Sequence, residues 1–470
     1  MIWLGWDTWR TAHLATWVLG LFGQGEHLIR ANHDEWEAAP MPQHLVITAK
    51  SIVDRIAQLL RDPAEYGQHL ERSLRQEEAL HGLKERTLWP MGLASGYLSS
   101  ALLFAHLDRC YPTAGWDRVA HEHLSHAIEP LEQGQTVRLG LYQGIAGLGY
   151  VARYMDPNHE RYRTLIRAVE RGLLESLGRF SDVPSPIKTN HYDLINGITG
   201  VLAFLVEDSP SALATSLQDQ AIEFLISTTG RTAIDHRGGF FVDSGEMPFE
   251  EDRLLFPSGA LDLGLAHGIA GVIAALAVAT LNGSATSERL GAIERLCDII
   301  WQCRIEGEGG ANWPAKVGPA GPRQGSGGRY SWCYRAPGVS RALALGGIAT
   351  GSEVVASNAV DSFRFVASHG ESGLRGLGPT LCHGLAGVLQ IALRFWNDTH
   401  DELMASFAQE CCIALLEKFD RSSSLCYRNE VAAGAIDDPG LLTGAAGIAL
   451  SLLSVTSPHA PAWDRVLLLA

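Results

Sequence analysis

Two kinds of hydrophobic stretch alternate along this chain. In the first kind almost every position is apolar, as in Val272–Leu281, and a helix that is apolar on all sides is buried. In the second kind the apolar side chains recur at helical spacing on one face only, as with Leu165, Val169 and Leu173. The alternation predicts two layers of helices, one fully buried and one with a face in water.

A short turn of small residues stands directly before each fully apolar stretch. From Leu88 onward seven such turns follow at intervals of about 48 to 71 residues, and a repeat of that length holds two helices. The turns lie at Gly92–Gly96, Gly144–Gly147, Gly197–Gly200, Gly268–Gly271, Ala336–Gly338, Gly384–Gly387 and Gly444–Gly447. We therefore predict an all-α double ring. The buried helices form its inner barrel, the amphipathic helices surround them, and all the turns lie at one end.

Three parts of the chain depart from this repeat. The stretch around 236–260 lacks helical spacing and predicts a small extended or β insertion, with a loop at Leu254–Pro257. The glycine-rich stretch 318–330 predicts a long loop. The first ~75 residues contain none of the turns, although tryptophans near the start and Ile52, Ile56 and Leu59 have helical spacing. We predict a helical extension over residues 1–75 and a toroid domain over residues 76–470.

Charge and cysteine content narrow the range of functions. The chain has 470 residues, 37 basic and 52 acidic, for a formal charge of −15, and it lacks the basic patches that nucleic-acid binding needs. Eight cysteines without a framework spacing argue against disulfides and favour a reducing compartment. The longest apolar run, Gly268–Leu281, is shorter than the ~20 residues that span a bilayer. We predict a cytoplasmic protein without a transmembrane segment.

Cysteine and histidine occur together at two neighbouring turns. Cys382 and His383 stand directly before Gly384, and Cys333 lies just before the turn one repeat earlier. Catalytic zinc sites use three protein ligands of these types and leave a fourth position open. Adjacent ligands diverge by ~100° within a regular helix, but they can converge on a turn ahead of one. The set predicts a zinc ion on these three side chains; the alternative is two buried thiols beside a core histidine.

Further polar residues belong to the same group of turns. His267 holds the place of His383 in an earlier turn, and an ordinary pKa of about 6.5 suits a histidine to general acid or base catalysis. Asp193 and Arg329 each lie shortly before a turn. Each of the three also has an ordinary structural interpretation: a packing or capping histidine, an acidic N-cap, and a solvated loop charge. The places of His267 and Asp193 in the repeat favour one site shared with the cysteines. Arg329 could face that site, but the sequence alone favours a solvated loop charge.

The motifs at these turns resemble those of the lanthionine synthetase C-like family, and more closely its stand-alone LanC-type lanthipeptide cyclases. The motifs are Trp332-Cys333-Tyr334 with Pro337-Gly338, Cys382-His383-Gly384, Leu265-Ala266-His267-Gly268 and the final Gly444–Gly447 turn. The resemblance runs from about Leu88 to the last residue. It implies an α/α toroid of seven inner and seven outer helices, in agreement with the seven turns.

The resemblance also implies roles for individual residues. The matching positions are Cys333, Cys382 and His383 for the zinc ligands, His267 for the active-site histidine, Asp193 for the acidic residue near it, and Arg329 and Tyr334 for other site-lining residues. Family members add cysteine thiols of a precursor peptide to dehydroalanine or dehydrobutyrine, which forms lanthionine or methyllanthionine thioether rings. The implied partners are a dehydrated precursor peptide with its leader and, within a complex, a dehydratase and an exporter.

The chemistry agrees with this resemblance. Little thiolate exists at neutral pH because a free cysteine has a pKa near ~8.5, and zinc binding removes the thiol proton. Attack on the β-carbon then leaves a carbanion that needs a proton at Cα. His267 is the predicted donor, and Asp193 either orients it or takes the thiol proton.

The chain departs from the family pattern at two places. Arg335 stands where the family has glycine, and Ser95 precedes Gly96 in a first turn that reads as one residue longer. Neither change removes a ligand, so an active cyclase is the main hypothesis. Three other classes stay open: an idle peptide-binding subunit with structural zinc, a LanC-like enzyme that adds glutathione to dehydrated residues, and another toroid enzyme. A toroid glycosidase would need a carboxylate pair such as Asp193 and Asp262, and a prenyltransferase-like protein is a further toroid example.

Overall fold

Helices make up most of the protein in the computed structural model. It describes residues 36–82, 88–132, 138–158, 160–177, 183–206, 210–232, 238–307, 310–322 and 329–470. The tryptophan-rich start of the chain and part of the glycine-rich loop predicted at 318–330 lie outside these ranges. In the ranges described, no helix is both long enough and apolar enough to cross a membrane.

In the ranges described, seven buried helices form a closed inner barrel. Each follows one of the small-residue turns, and most of its side chains are buried. Each inner helix packs against the next one along the chain, and the seventh packs against the first. In chain order they are Tyr97–Cys110, Ile145–Tyr154, Ile198–Leu205, Ile269–Leu281, Arg335–Thr350, Leu385–Thr399 and Ala445–Thr456. The nearly charge-free stretches of the sequence are therefore the inner wall of the barrel.

Seven helices also make up the outer layer in the part of the chain that the structure describes. Six of them follow an inner helix in the chain and pack against it: Trp116–Glu132, Arg163–Leu177, Ala212–Arg231, Ser287–Gln302, Glu353–Ser368 and Glu402–Glu417. The seventh, Gln43–Leu60, comes before the first turn and packs against the last inner helix. The two layers confirm the predicted α/α toroid.

The seventh outer helix comes from the segment predicted as an N-terminal extension. Its buried face includes Val53, Ile56 and Leu60, which lie in the same apolar core as the barrel. The next helix, Pro63–His81, packs against the first inner and first outer helices. The predicted boundary at residue 75 therefore falls inside a helix. The part of this segment from residue 36 onward is therefore packed into the toroid. Gln43–Leu60 supplies the outer partner that the last inner helix would otherwise lack.

The remaining elements are short and lie in the connections between helices or after the last inner helix. Short α-helices lie at Thr189–Tyr192, Glu250–Leu255 and Gly370–Leu374, and 3₁₀ helices at Ser244–Glu246 and Ala462–Leu467. The strands among the described residues form three antiparallel pairs: Leu261–Asp262 with Lys316–Val317, Ile305–Gly307 with Gly310–Asn312, and Asn429–Val431 with Gly434–Ile436.

The predicted insertion around 236–260 is described from residue 238, and it has extended backbone at Val242 and Ala260 with helix between them. Val242 pairs with Ala260 in a single antiparallel bridge. Between them lies the helix Glu250–Leu255, whose first turn carries three acidic residues that favour a helix N-terminus. The expected loop at Leu254–Pro257 is wrong for its first two residues, which end this helix.

A closed circle of backbone hydrogen bonds, which we call the collar, joins the seven turns. Each turn donates an N–H to a carbonyl of the next turn, and the last donates to the first, over N–O distances of 2.7 to 3.2 Å. The accepting carbonyls belong to the collar residues Ala94, Tyr142, Ile195, Ala266, Cys333, Cys382 and Leu442. The collar fixes the register of all the turns, so equivalent positions in different turns can be compared.

Small residues are required here because each turn folds back on the helix that follows it. A Cβ on Gly387 would lie 2.0 Å from the carbonyl oxygen of Leu381, which is closer than these atoms can approach. In the first turn Ser99 takes the equivalent place, and its hydroxyl donates to the Gly96 carbonyl. Gly96 caps its helix as glycine does at most other turns. The expectation of a longer first turn with Ser95 inserted is therefore wrong, and that turn differs at Ser99 instead.

The segment from Ala462 to Leu469 lies inside the barrel. Tyr150 on the second inner helix donates to the Ala462 carbonyl at 3.1 Å. Arg394 on the sixth inner helix pairs with the fully buried Asp464 at 2.7 Å, so the segment is held from opposite walls. Removal of one partner of a buried ion pair strongly destabilises a protein, because the other charge is left unpaired.

Candidate active site

An accessible rim surrounds the collar end of the barrel. It consists of the residues that directly follow the collar residues, here called rim residues: Ser95, Gln143, Asn196, His267, Tyr334, His383 and Thr443. All seven have polar side chains, and none is buried. The residues that directly precede the collar residues are apolar and fully buried. Each turn therefore contributes one polar side chain to the opening at the collar end of the barrel, here called the mouth. The apolar residues that precede the collar residues are buried beneath these side chains.

Cys333 and Cys382 are collar residues of neighbouring turns. The Cys333 N–H donates to the Cys382 carbonyl at 3.2 Å, and the two thiols are hydrogen-bonded to each other. The bond to Cys382 lowers the pKa of Cys333, while the bond to Cys333 and burial raise the pKa of Cys382 well above its usual range. The pair therefore gives up its first proton readily and holds the second.

His383 is the rim residue that follows Cys382. His383 is exposed to solvent on one side, but the surrounding residues partly desolvate its imidazole. This desolvation lowers the pKa of His383, and the charge of Arg329 lowers it further. The Asn429 side chain acts in the opposite direction. A histidine with a lowered pKa is neutral at pH 7, and the neutral imidazole is the form that binds metals.

His267 and Asp193 form a hydrogen-bonded pair between the third and fourth turns. His267 Nδ1 lies 2.7 Å from Asp193 Oδ2, and the Asn196 N–H donates to the other carboxylate oxygen at 2.8 Å. The Asp193 side chain is 2% exposed, whereas 39% of the His267 side chain is accessible. Because Nδ1 is bound to Asp193, Nε2 is the atom available to carry a proton at the mouth.

Opposing effects set the pKa of His267. Burial lowers the pKa, but the hydrogen bond and charge of Asp193, followed by the charges of Asp262 and Cys333, raise it by more. The net result is a pKa above the ordinary histidine value. His267 thus keeps its proton to a higher pH than an isolated histidine does, as a general acid requires.

Tyr334 is the rim residue beside Cys333, and its hydroxyl is tied to the strand before the fourth turn. It donates to Asp262 Oδ2 at 3.0 Å, and the Lys316 ammonium lies 3.2 Å from the same oxygen. The aromatic ring needs glycine at Gly264, where a Cβ would lie 2.4 Å from a ring atom. Burial, followed by the charge of Asp262, raises the pKa of Tyr334 well above its usual range, so the hydroxyl stays protonated.

The two arginines near the fifth turn differ in their surroundings. Arg329 is exposed, and its charge acts on His383 at the edge of the site. Arg335 has a φ of 75°, and its guanidinium donates to the Trp313 carbonyl at 3.2 Å. Left-handed backbone costs a residue with a side chain about 1 kcal/mol or more. Arg335 therefore holds a backbone conformation that favours glycine.

The chemistry of the donors around the two thiols fits a zinc ion. Two thiols that share a proton can lose it when a divalent cation takes its place, and His383 adds a neutral nitrogen. Among the residues that the structure describes, no three His, Cys, Asp or Glu side chains are already grouped to hold a metal. Since the thiols already touch, His383 is the side chain that would turn toward them.

The site contains residues that the sequence did not single out. Ser331 Oγ accepts from the Cys333 thiol at 3.5 Å and from the Tyr334 N–H at 3.0 Å, so it fixes both neighbours. Its place in the Ser-Trp-Cys-Tyr motif is a signal that could have found it. Asp262 lies ahead of the fourth turn and was weighed as a glycosidase carboxylate but not predicted as a site residue, although it accepts from Tyr334. Lys316 carries no sequence signal at all.

Comparison with known proteins assigns the family. The family model described as lanthionine synthetase C-like protein matches residues 87–468. Nisin biosynthesis protein NisC of Lactococcus lactis subsp. lactis is 22% identical over 375 residues, which cover 71% of this chain and 87% of that protein. The solved structure of nisin cyclase shares the fold, with a TM-score of 0.68 at 21% identity over 86% of this chain and 97% of the other. The family model covers most of the chain, and this protein therefore belongs to the lanthionine synthetase C-like family.

Proposed function

We propose that this protein is a zinc-dependent lanthipeptide cyclase. It adds cysteine thiols of a dehydrated precursor peptide to dehydroalanine or dehydrobutyrine and so forms thioether rings. The observation that supports this best is the adjacency of two chemical pairs in the collar. The Leu265 N–H donates to the Cys333 carbonyl at 2.9 Å, which places the thiol pair one turn from His267, the partner of Asp193.

The thiol pair is suited to holding the attacking sulfur. A zinc ion on Cys333, Cys382 and His383 would supply a deprotonated, nucleophilic substrate thiolate. Ser331 orients Cys333 through its hydroxyl, and the bond between the Cys333 N–H and the Cys382 carbonyl keeps the two turns side by side. The protein's own part is therefore to fix the positions of the donors.

The His267–Asp193 pair is suited to completing the addition. A bond forms between sulfur and the β-carbon, the carbon–carbon π bond breaks, and the resulting enolate needs one proton at Cα. His267 holds that proton at Nε2, while Asp193 fixes the tautomer through Nδ1 and favours the charged imidazole. The proton lost by the thiol balances the one gained at Cα, so the product has the mass of the substrate.

Incubation with a dehydrated, leader-bearing precursor peptide tests the proposal. We expect free thiols to disappear without a change in peptide mass, as measured by thiol alkylation and mass spectrometry. A folded, zinc-loaded preparation that leaves the thiol count unchanged would rule out a cyclase. If it nevertheless bound the peptide, the protein would be an idle peptide-binding subunit. A mass increase of one glutathione per dehydrated residue, with glutathione present, would instead assign addition of an external thiol.

A further inference from the structure

A positively charged side chain, that of Arg138, lies on the side of the mouth away from the thiols. Arg138, in the second turn, is exposed, but two contacts hold its side chain. Its guanidinium donates to Gln143 Oε1 at 2.8 Å and lies over the Trp89 ring, 5.0 Å from the centroid. An arginine stacked on an aromatic ring is held in place for hydrogen bonding, unlike a freely mobile surface charge.

The collar register shows that this position recurs in other turns. The Arg138 carbonyl accepts the first helical N–H of its turn, from Ile145, at 2.9 Å. Asp438 does the same with Ala445 at 2.8 Å in the seventh turn. By the same count of residues, Arg329 is the equivalent residue of the fifth turn. The second and fifth turns face each other across a circle of seven, so Arg138 is the counterpart of Arg329 on the opposite rim.

The neighbouring rim residue extends the group. The bond from Arg138 occupies the amide oxygen of Gln143, which leaves the two donors of Nε2 as the polar groups this side chain can direct into the mouth. The far rim therefore presents guanidinium and amide N–H donors together. Their matching ligands are oxygen acceptors, and an extended peptide presents one backbone carbonyl per residue.

We propose that Arg138 and Gln143, supported by Trp89, form a subsite that binds backbone carbonyls of the peptide substrate. The proposal rests on the cyclase function, since it concerns the same mouth. The thiol pair and His267 act on the two reacting residues at the fourth to sixth turns. The peptide that connects or flanks these residues crosses the mouth, and the donors of the second turn hold it there. Arg138 and Gln143 are binding residues and take no part in the chemical step.

Three variants and the unaltered protein test the subsite: Arg138→Ala, Gln143→Ala and, as a matched control, Arg118→Ala. Arg118 is a solvated arginine on an outer helix near Glu122, so its loss changes the net charge equally. We expect Arg138→Ala to raise KM for the dehydrated precursor about tenfold, since a hydrogen bond from a charged donor is lost. Its kcat, zinc content and Tm should match those of the unaltered protein.

A second measurement separates binding from chemistry. The same precursor with every cysteine replaced by serine cannot bind through sulfur, and its Kd can be followed by fluorescence anisotropy. We expect Arg138→Ala and Gln143→Ala to weaken this binding and Arg118→Ala to leave it unchanged. Cyclisation by the unaltered protein, with normal binding by both Arg138→Ala and Gln143→Ala, would overturn the subsite while the cyclase function stood. Absence of cyclisation by the unaltered protein would overturn both.

Discussion

His267 Nδ1 lies 2.7 Å from Asp193 Oδ2, although the two residues belong to different turns of the barrel. The collar creates this contact. The Leu194 N–H donates to the Ala266 carbonyl at 3.1 Å, and these two residues are the direct neighbours of Asp193 and His267. The hydrogen-bonded pair of His267 and Asp193 therefore forms only when the third and fourth turns are paired in this register.

Asp193→Asn should move the high-pH limit of activity to lower pH. The carboxylate raises the pKa of His267 against the opposing effect of burial, and the protonated imidazole is the active form of a general acid. Activity falls as pH rises through that pKa. Without the carboxylate the pKa is lower, so the fall begins earlier, and activity at neutral pH should drop by roughly 10- to 100-fold.

The measurement is a pH–rate profile of cyclisation at constant zinc content, together with an NMR titration of the His267 ring. Asp219→Asn, an exposed change on an outer helix, removes the same charge and should leave the profile unaltered. A profile for Asp193→Asn with a lower rate but the same high-pH limit would contradict the assignment of His267 as the proton donor.

The repeat explains why the core of the site was predictable. Glycine before an apolar stretch marks each turn, and the turns share one end of the barrel. Residues at equivalent or adjacent places of the turns, such as Cys333, Cys382 and His267, are therefore brought together without knowledge of side-chain contacts. Asp193 followed from the same reasoning, because it lies shortly before the third turn.

Other features were not predictable because they depend on tertiary contacts without a sequence period. The Lys316–Asp262 ion pair forms across two strands of only two residues each, too short to show alternation. The amphipathic pattern of Gln43–Leu60 predicts a helix but not its partner. Its place beside the last inner helix follows from closure of the ring, which joins the two ends of the repeat.

At position 335 the glycine variant, Arg335→Gly, should be more stable than the alanine variant, Arg335→Ala. Inside an ordinary helix the order is the reverse, because alanine is there more stable than glycine. Both variants lose the bond from Arg335 to the Trp313 carbonyl, but only alanine keeps a Cβ at a φ of 75°. We expect the glycine variant to be more stable than the alanine variant by about 1 kcal/mol. Urea unfolding at fixed zinc concentration measures the difference.

The matched pair for this comparison is Ala342→Gly in the interior of the same helix, where the residue is fully buried. There glycine should lower stability relative to alanine by roughly 0.5–1 kcal/mol. If the alanine variant at Arg335 proved as stable as the glycine variant, the left-handed backbone would not cost this turn any stability.

Trp332→Phe should weaken zinc binding as well as stability. The buried indole donates to the Leu467 carbonyl at 2.9 Å, and Trp332 directly precedes Cys333. Phenylalanine keeps an aromatic ring but leaves that buried carbonyl unsatisfied, at a cost of about 1–3 kcal/mol. We expect a lower urea midpoint and a several-fold loss of zinc affinity in competition with a chromophoric chelator.

Tyr150→Phe provides the comparison for this effect. Its hydroxyl donates to Ala462 in the same internal segment, on an inner helix that carries neither thiol. This variant should lose stability and keep its zinc affinity. An equal loss of zinc affinity in both variants would mean that the segment acts on the site only through global stability.

Cys382→Ala should abolish stable zinc binding, whereas Cys412→Ala should not. Both side chains are thiols in apolar surroundings, but Cys412 lies on an outer helix, where burial raises its pKa to about 12. Elemental analysis should find about one zinc ion per chain in the unaltered protein and in Cys412→Ala, and far less in Cys382→Ala, which keeps too few ligands for a catalytic site. Full zinc content in Cys382→Ala would remove this residue from the ligand set.

The metal-free protein offers an independent test of Cys382, because the hydrogen bond from Cys382 is the main cause of the lowered pKa of Cys333. Alkylation of Cys333 at neutral pH should therefore be slower in metal-free Cys382→Ala than in the metal-free unaltered protein.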